Sequence, residues 1–204
     1  MIKTKFAAPL FVGLCAVGIS AMAVTADKVP DVATVGKPVK AFTLKDVMTD
    51  LKPGMKADSA MVALGKFKGK KEVVLFFMSE QCSVTWRYEK RMGKLMHDMA
   101  KKDVAFVGLR CSATDTAESI RKFAETRNFA MPVLNDDKGE VAKYFSVIQT
   151  PTFVVIDKAG VLRYRGSFDD NPEDAAAKKP YLRKAVVAVL NSKEVPVKMT
   201  KPFG

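Results

Sequence analysis

Glu72-Val73-Val74-Leu75-Phe76-Phe77-Met78, followed after three residues by Cys82, is the stretch around which this 204-residue chain is organised. After Glu72 the run is β-branched, aromatic and apolar without alternation, as in a strand covered on both faces of a sheet. It therefore predicts a central strand. Beyond it, Val84, Tyr88, Met92, Leu95, Met96 and Met99 recur at helical spacing with charged residues between them, so residues from Val84 to Lys102 predict the first long helix. Asp103 to Arg110, with Val104, Phe106, Val107 and Leu109, predicts a second strand. The three elements make a βαβ unit with parallel strands.

Further out, Asp27 to Lys40 is polar and punctuated by proline, and Ala41 to Leu44 predicts a short strand. Residues 45 to 70 have weak periodicity and read as loop with short turns. Downstream, Asp115 opens a second helix that carries Ala117, Ile120, Phe123 and Ala124 on one side and ends near Asn128. Met131 to Leu134 reads as extended and Glu140 to Phe145 as a short helix. Thr152 to Ile156 predicts another buried strand, with Asp157-Lys158-Ala159-Gly160 as the hairpin turn and Val161 to Arg165 as its partner. A closing helix spans about Pro180 to Asn191. This length suits one folded domain plus a targeting segment, which divides the chain into a signal at 1–26, a linker at 27–34, a domain at 35–192 and a basic tail at 193–204.

The N-terminus carries Lys3 and Lys5, then an uncharged stretch from Phe6 to Val24, then small residues at Ala21, Ala23 and Ala26. That is the layout of a signal peptide cleaved after Ala23 or Ala26, and it predicts export to a periplasmic or extracellular space. An uncleaved membrane anchor is the alternative, because the uncharged stretch approaches the roughly 20 residues needed to span a bilayer; Pro9 and the many Ala and Gly residues favour cleavage. The formal charge is +12, two charges of which leave with Lys3 and Lys5. The remaining lysines are scattered, without an RNA-binding aromatic motif or zinc-finger spacing, so they read as a solvated surface and not as a nucleic-acid site. Cys15 lies inside the signal. A mature protein keeps two cysteines, Cys82 and Cys111.

Cys82 falls between the end of the central strand and the start of a helix, the edge at which ligands gather in open α/β sheets. Free N–H groups at a helix start stabilise a thiolate and lower its pKa. The surrounding residues Phe77-Met78-Ser79-Glu80-Gln81-Cys82-Ser83-Val84-Thr85 resemble the stretch of thioredoxin and TlpA-like redoxins that ends in Cys-x-x-Cys. Val35 to Leu44, Phe67-Lys68-Gly69-Lys70, Gln149-Thr150-Pro151-Thr152-Phe153 and Tyr164-Arg165-Gly166 extend the likeness over residues 35 to 192. It implies an α/β thioredoxin fold, a central mixed β-sheet with helices on both faces, and thiol–disulfide oxidoreductase activity with Cys82 as the attacking, catalytic residue. It also implies that Thr150 and Pro151 bind substrate across a cis peptide bond. Protein or small-molecule disulfides and an external thiol reductant are the implied partners, with no cofactor.

The departure from the family pattern is Thr85, which stands where the second, resolving cysteine belongs. Release of a mixed disulfide by a neighbouring thiol is therefore lost. Three roles are open to Cys82: a monothiol resolved by an outside thiol, a partner of Cys111 as resolving cysteine at the same sheet edge, or a relic in a non-catalytic scaffold. A peroxiredoxin-like peroxidase is the rival chemistry. It requires Pro-x-x-x-Thr-x-x-Cys and a later arginine, for which Ser79 and Arg163 or Arg165 are candidates, but Leu75 occupies the proline position. His97 is the single histidine, which excludes a multi-histidine metal site. The methionines at 92, 96 and 99 follow the helix period and read as core, so no metal is expected. Trp86 and Tyr88 near the cysteine read as packing of the first helical turns, with a peptide-binding surface as the alternative, and Asp169-Asp170 as solvated loop residues rather than a border of the site.

Overall fold

Residues Glu72–Met78 form strand β3, in which every residue is buried. In the computed structural model, which describes residues 31–49, 60–173 and 176–204, β3 lies inside a seven-stranded sheet. The strands are β1 (Thr43–Asp46), β2 (Met61–Ala63), β3, β4 (Val104–Arg110), β5 (Val133–Asn135), β6 (Thr152–Asp157) and β7 (Leu162–Gly166), in spatial order β2-β1-β5-β4-β3-β6-β7. β3 runs parallel to β4 with Glu72 opposite Val104, and antiparallel to β6 with Phe76 opposite Phe153. Both faces are covered. Val74, Phe76 and Met78 pack with residues of α2 (Glu89–Met99), α3 (Ala117–Thr126) and α5 (Tyr181–Leu190), while Val73, Leu75 and Phe77 pack with residues of α4 (Glu140–Tyr144). That is why β3 has no polar alternation. It is an α/β thioredoxin fold, as the sequence predicts.

Several expectations are corrected. The first helix is two helices, α1 (Ser83–Arg87) and α2, joined at Tyr88. Tyr88 bonds its N–H to the Thr85 carbonyl, a tightened turn, and its ring is held in the core. Its hydroxyl donates to Asp169 at 3.0 Å, and the Arg91 guanidinium lies 4.3 Å over its ring. Asp169 is accordingly buried at 3% exposure and also paired with Arg91, not solvated. The second helix starts at Ala117, two residues later than read, because Thr116 and Ser119 form a reciprocal capping box. Asp115 is thereby freed for another task. The segment read as loop contains β2, which is too short for its period to show, and residues 50–59 lie outside the described residues. So does the expected signal, Cys15 included.

Two ends expected outside the domain are packed on it. In the linker, Ala33 is buried and its N–H bonds the Tyr144 carbonyl at 2.8 Å. The basic tail runs back along β7: the Arg165 N–H donates to Lys198, the Thr200 N–H donates to Arg165, and the Thr200 hydroxyl accepts from the Ser167 N–H at 2.8 Å. Gly166 is required there, since a Cβ would fall 2.8 Å from the backbone nitrogen of Thr200. Lysine content made this segment look like a tail. The anchors are a threonine and backbone, which carry no sequence signal.

Candidate functional site

Cys82 follows the turn Ser79-Glu80-Gln81 at the carboxyl end of β3 and caps α1, with its carbonyl accepting from the Thr85 N–H at 2.9 Å. Its thiol donates to the carbonyl of Thr150 at 3.0 Å, and Thr150-Pro151 is cis, as the resemblance implies. α1 has only five residues, so its dipole is small and local hydrogen bonds decide the charge on sulfur. Burial pushes the Cys82 thiol up, but hydrogen bonding from the Thr150 side chain, the Thr85 N–H and hydroxyl and the Val84 N–H outweighs it, and the net shift is downward. The Thr85 hydroxyl is buried and has no hydrogen-bond partner while Cys82 is a thiol. The residue in the resolving position thus supports the thiolate, and Thr85→Val is expected to slow alkylation of Cys82 at pH 7 by roughly 2- to 10-fold, the worth of one hydrogen bond. The measurement is the pH profile of iodoacetamide labelling, whose midpoint should move to higher pH.

The turn before Cys82 is clamped from β4 and the loop after it. Asp115, 1% exposed, accepts from the Ser79 hydroxyl at 3.0 Å and from the Glu80 N–H at 3.1 Å, and the Gln81 N–H in turn bonds the Ser79 oxygen. Arg110, at the end of β4, bonds the Asp115 carbonyl and the Asn135 side chain. Sequence reading missed Asp115 and Arg110. The short polar stretch after a strand carried no pattern, although an aspartate just ahead of a capping box was a usable hint. Asp115→Ala strands a buried hydroxyl and a backbone donor, and is expected to cost about 2 to 4 kcal/mol in urea unfolding. Trp86 closes the outer side: it is half exposed, donates its indole N–H to the Glu80 carbonyl at 2.7 Å and faces the Arg127 guanidinium.

Cys82 and Cys111 line one cleft of about 370 Å³, together with Ser79, Gln81, Ser112, Thr114, Gln149 and Thr150. Both thiols are free. Their chemistry differs: burial first, then the charges of Asp136 and Asp115, push the Cys111 thiol up to about 12, so at neutral pH it is a poor nucleophile. Ser79 is committed to Asp115. Arg163 pairs with Asp157 and lines a larger cavity of about 750 Å³, which contains neither cysteine, while Arg165 donates to the Phe145 carbonyl. Neither arginine lines the cysteine cleft. His97 is exposed on α2. Among the described residues no three His, Cys, Asp or Glu side chains are grouped to hold a metal ion.

The fold and the cysteine at the strand end define a redoxin of the thioredoxin class. Residues 35–165 match the AhpC/TSA family, and the chain belongs to it. It is 32% identical over 126 residues to the thiol-disulfide oxidoreductase ResA of Bacillus thuringiensis subsp. konkukian, covering 62% of this chain and 65% of that protein. It is 34% identical over 97 residues to the thioredoxin-like protein YneN of Bacillus subtilis, covering 47% and 55%. The chain thus spans somewhat under two thirds of these relatives' length. Among solved structures, a hypothetical protein of Sinorhizobium meliloti 1021 superposes with a TM-score of 0.72 at 25% identity, over 84% of this chain and 92% of that one.

Proposed function

We propose that this protein is an exported monothiol thiol–disulfide oxidoreductase. The carrying observation is the Cys82 sulfur, held at the sheet edge among donors that favour its thiolate, with a threonine and not a cysteine one helical turn on. The Cys82 thiolate attacks one sulfur of a substrate disulfide, forms a mixed disulfide and expels the other half as a thiolate. An external thiolate then attacks the substrate sulfur of that mixed disulfide, regenerating Cys82 and carrying the substrate away as a new disulfide. The elevated thiol of Cys111 argues against it as the resolving group. The N-terminal residues 1–26 supply the export signal, and no helix among the described residues is long and apolar enough to cross a membrane.

Mass spectrometry of the protein after incubation with a peptide disulfide tests this. The expected product is one peptide adduct on Cys82, removed by added thiol, with Cys111 unmodified. A Cys82–Cys111 bond would refute the monothiol cycle, and the absence of any adduct would refute the activity. Formation of a Cys82 sulfenic acid by peroxide that outpaces formation of the mixed disulfide with the peptide would shift the reading to a peroxidase.

A further inference from the structure

Residues 198–204 do more than pack against β7. Thr200 is fixed by bonds to Arg165, Ser167 and Tyr164. Lys201 is exposed, and the chain then reaches the loop that carries Thr150. There the Gln149 side-chain amide donates to the Pro202 carbonyl, and Gly204 lies so close that a Cβ on it would overlap the Thr150 carbonyl oxygen and stand 3.1 Å from the carbonyl carbon. That carbonyl is the same group to which the Cys82 thiol donates. Cys82 and the chain at Gly204 therefore both lie against the Thr150 carbonyl.

A disulfide must be approached in line by the attacking sulfur, so the rest of a substrate lies over the ground beside Cys82. A peptide-borne disulfide also brings N–H groups that want an acceptor, and the Thr150 carbonyl is a backbone acceptor 3.0 Å from the sulfur. The strap already covers it. Its attachment is uneven: several hydrogen bonds at Thr200, then a single one at Pro202. We propose that residues 201–204 are a self-blocking strap, hinged after Thr200, which must swing off the Thr150 carbonyl before a peptide disulfide reaches Cys82. The proposal rests on Cys82 as the attacking thiol.

Two variants of the full chain test it: deletion of residues 201–204, which spares the Thr200 anchor, and Gly204→Val, which drives the strap off the carbonyl by steric overlap. Each is expected to raise the rate of mixed-disulfide formation with a peptide disulfide by roughly 3- to 10-fold, the factor by which one net hydrogen bond holds a segment closed. Labelling by iodoacetamide, small enough to pass, should change less than about 2-fold, because the strap leaves the intrinsic reactivity of the sulfur in place. Unaltered peptide rates in both variants, with unchanged urea midpoints, would overturn the strap. If Cys82 forms no mixed disulfide in any version, the oxidoreductase reading falls instead. The strap is then still tested with a polyethylene-glycol maleimide of several kilodaltons, whose rate should rise in both variants and whose constancy would overturn it.

Discussion

Thr85→Cys is expected to turn an accumulating mixed disulfide into a transient one. In the native chain nothing in α1 can attack the adduct on Cys82, so its lifetime is set by the concentration of outside thiol. Residue 85 sits one helical turn from Cys82, with its N–H on the Cys82 carbonyl, and a sulfur there becomes an intramolecular nucleophile. Well-oriented intramolecular reactions have effective molarities far above any free thiol, so even a poorly aligned thiol at this position should shorten the adduct's life by on the order of 10³-fold against a millimolar external thiol. The site works partly against this, because Thr85 is 1% exposed and a thiol there is desolvated, which raises its pKa and slows attack. The substitution also removes the hydroxyl that favours the Cys82 thiolate. First-step attack should therefore slow by the few-fold expected for Thr85→Val while the second step accelerates. Stopped-flow mixing followed by acid trapping separates the two. An adduct that persists as long in Thr85→Cys as in the native protein would mean that residue 85 is not in the resolving position.

The two expected changes act in opposite directions. On the proposed cycle, a threonine at this place favours the first step and leaves the second to an outside thiol. The Thr85 hydroxyl is buried without a hydrogen-bond partner, an arrangement that costs stability unless an ionised Cys82 accepts from it. Thr85→Val and Thr85→Cys together distinguish a maintained monothiol from a relic: a relic's Cys82 would label at the same rate in all three forms.

Much of the fold was legible because it is written in periodicity. The unbroken apolar run of β3 and the spacing Met92, Leu95, Met99 report burial directly, and Asp157 to Gly160 marks its own turn. The place of Cys82 was legible for a related reason, since a strand end followed by a helix start is a position defined along the chain. What escaped was built across the chain. Asp115 is important because Ser79 and Glu80 are beside it in space, and neither its composition nor its spacing differs from a surface loop. The break at Tyr88 depends on Asp169, distant in sequence, and the strap depends on Gln149 and Thr150. Lysines at 193, 198 and 201 gave the last residues the look of a solvated tail, and the threonine and glycine that hold them down look ordinary until their partners are known.

Glu72 was read only as the first residue of a strand, and the structure buries its carboxyl within the sheet. It is fully buried, neither carboxylate oxygen has a hydrogen-bond partner, and by alternation it shares its face with Val74, Phe76 and Met78. Burial raises its pKa from 4.5 to about 8. The folded protein therefore keeps this proton at neutral pH, while the unfolded chain gives it up above about 4.5. A raised folded pKa makes the folded state bind the extra proton between these values, so stability is full below about 4.5 and falls as pH rises towards about 8. At 1.36 kcal/mol per unit, the loss by pH 7 is about 3 kcal/mol as an upper bound. Glu72→Met keeps the volume, removes the ionisation and leaves no orphaned oxygens, so at pH 7 to 8 it should stabilise the fold by on the order of 2 to 3 kcal/mol, with a much smaller gain near pH 4.5. Urea unfolding of both proteins across this range is the measurement. Two stability curves running parallel from pH 4.5 to 8 would show that the Glu72 carboxyl titrates normally and is reached by water. Because Glu72 lies at the opposite end of β3 from Cys82, alkylation of the cysteine serves as the control, and its rate should be the same in both proteins.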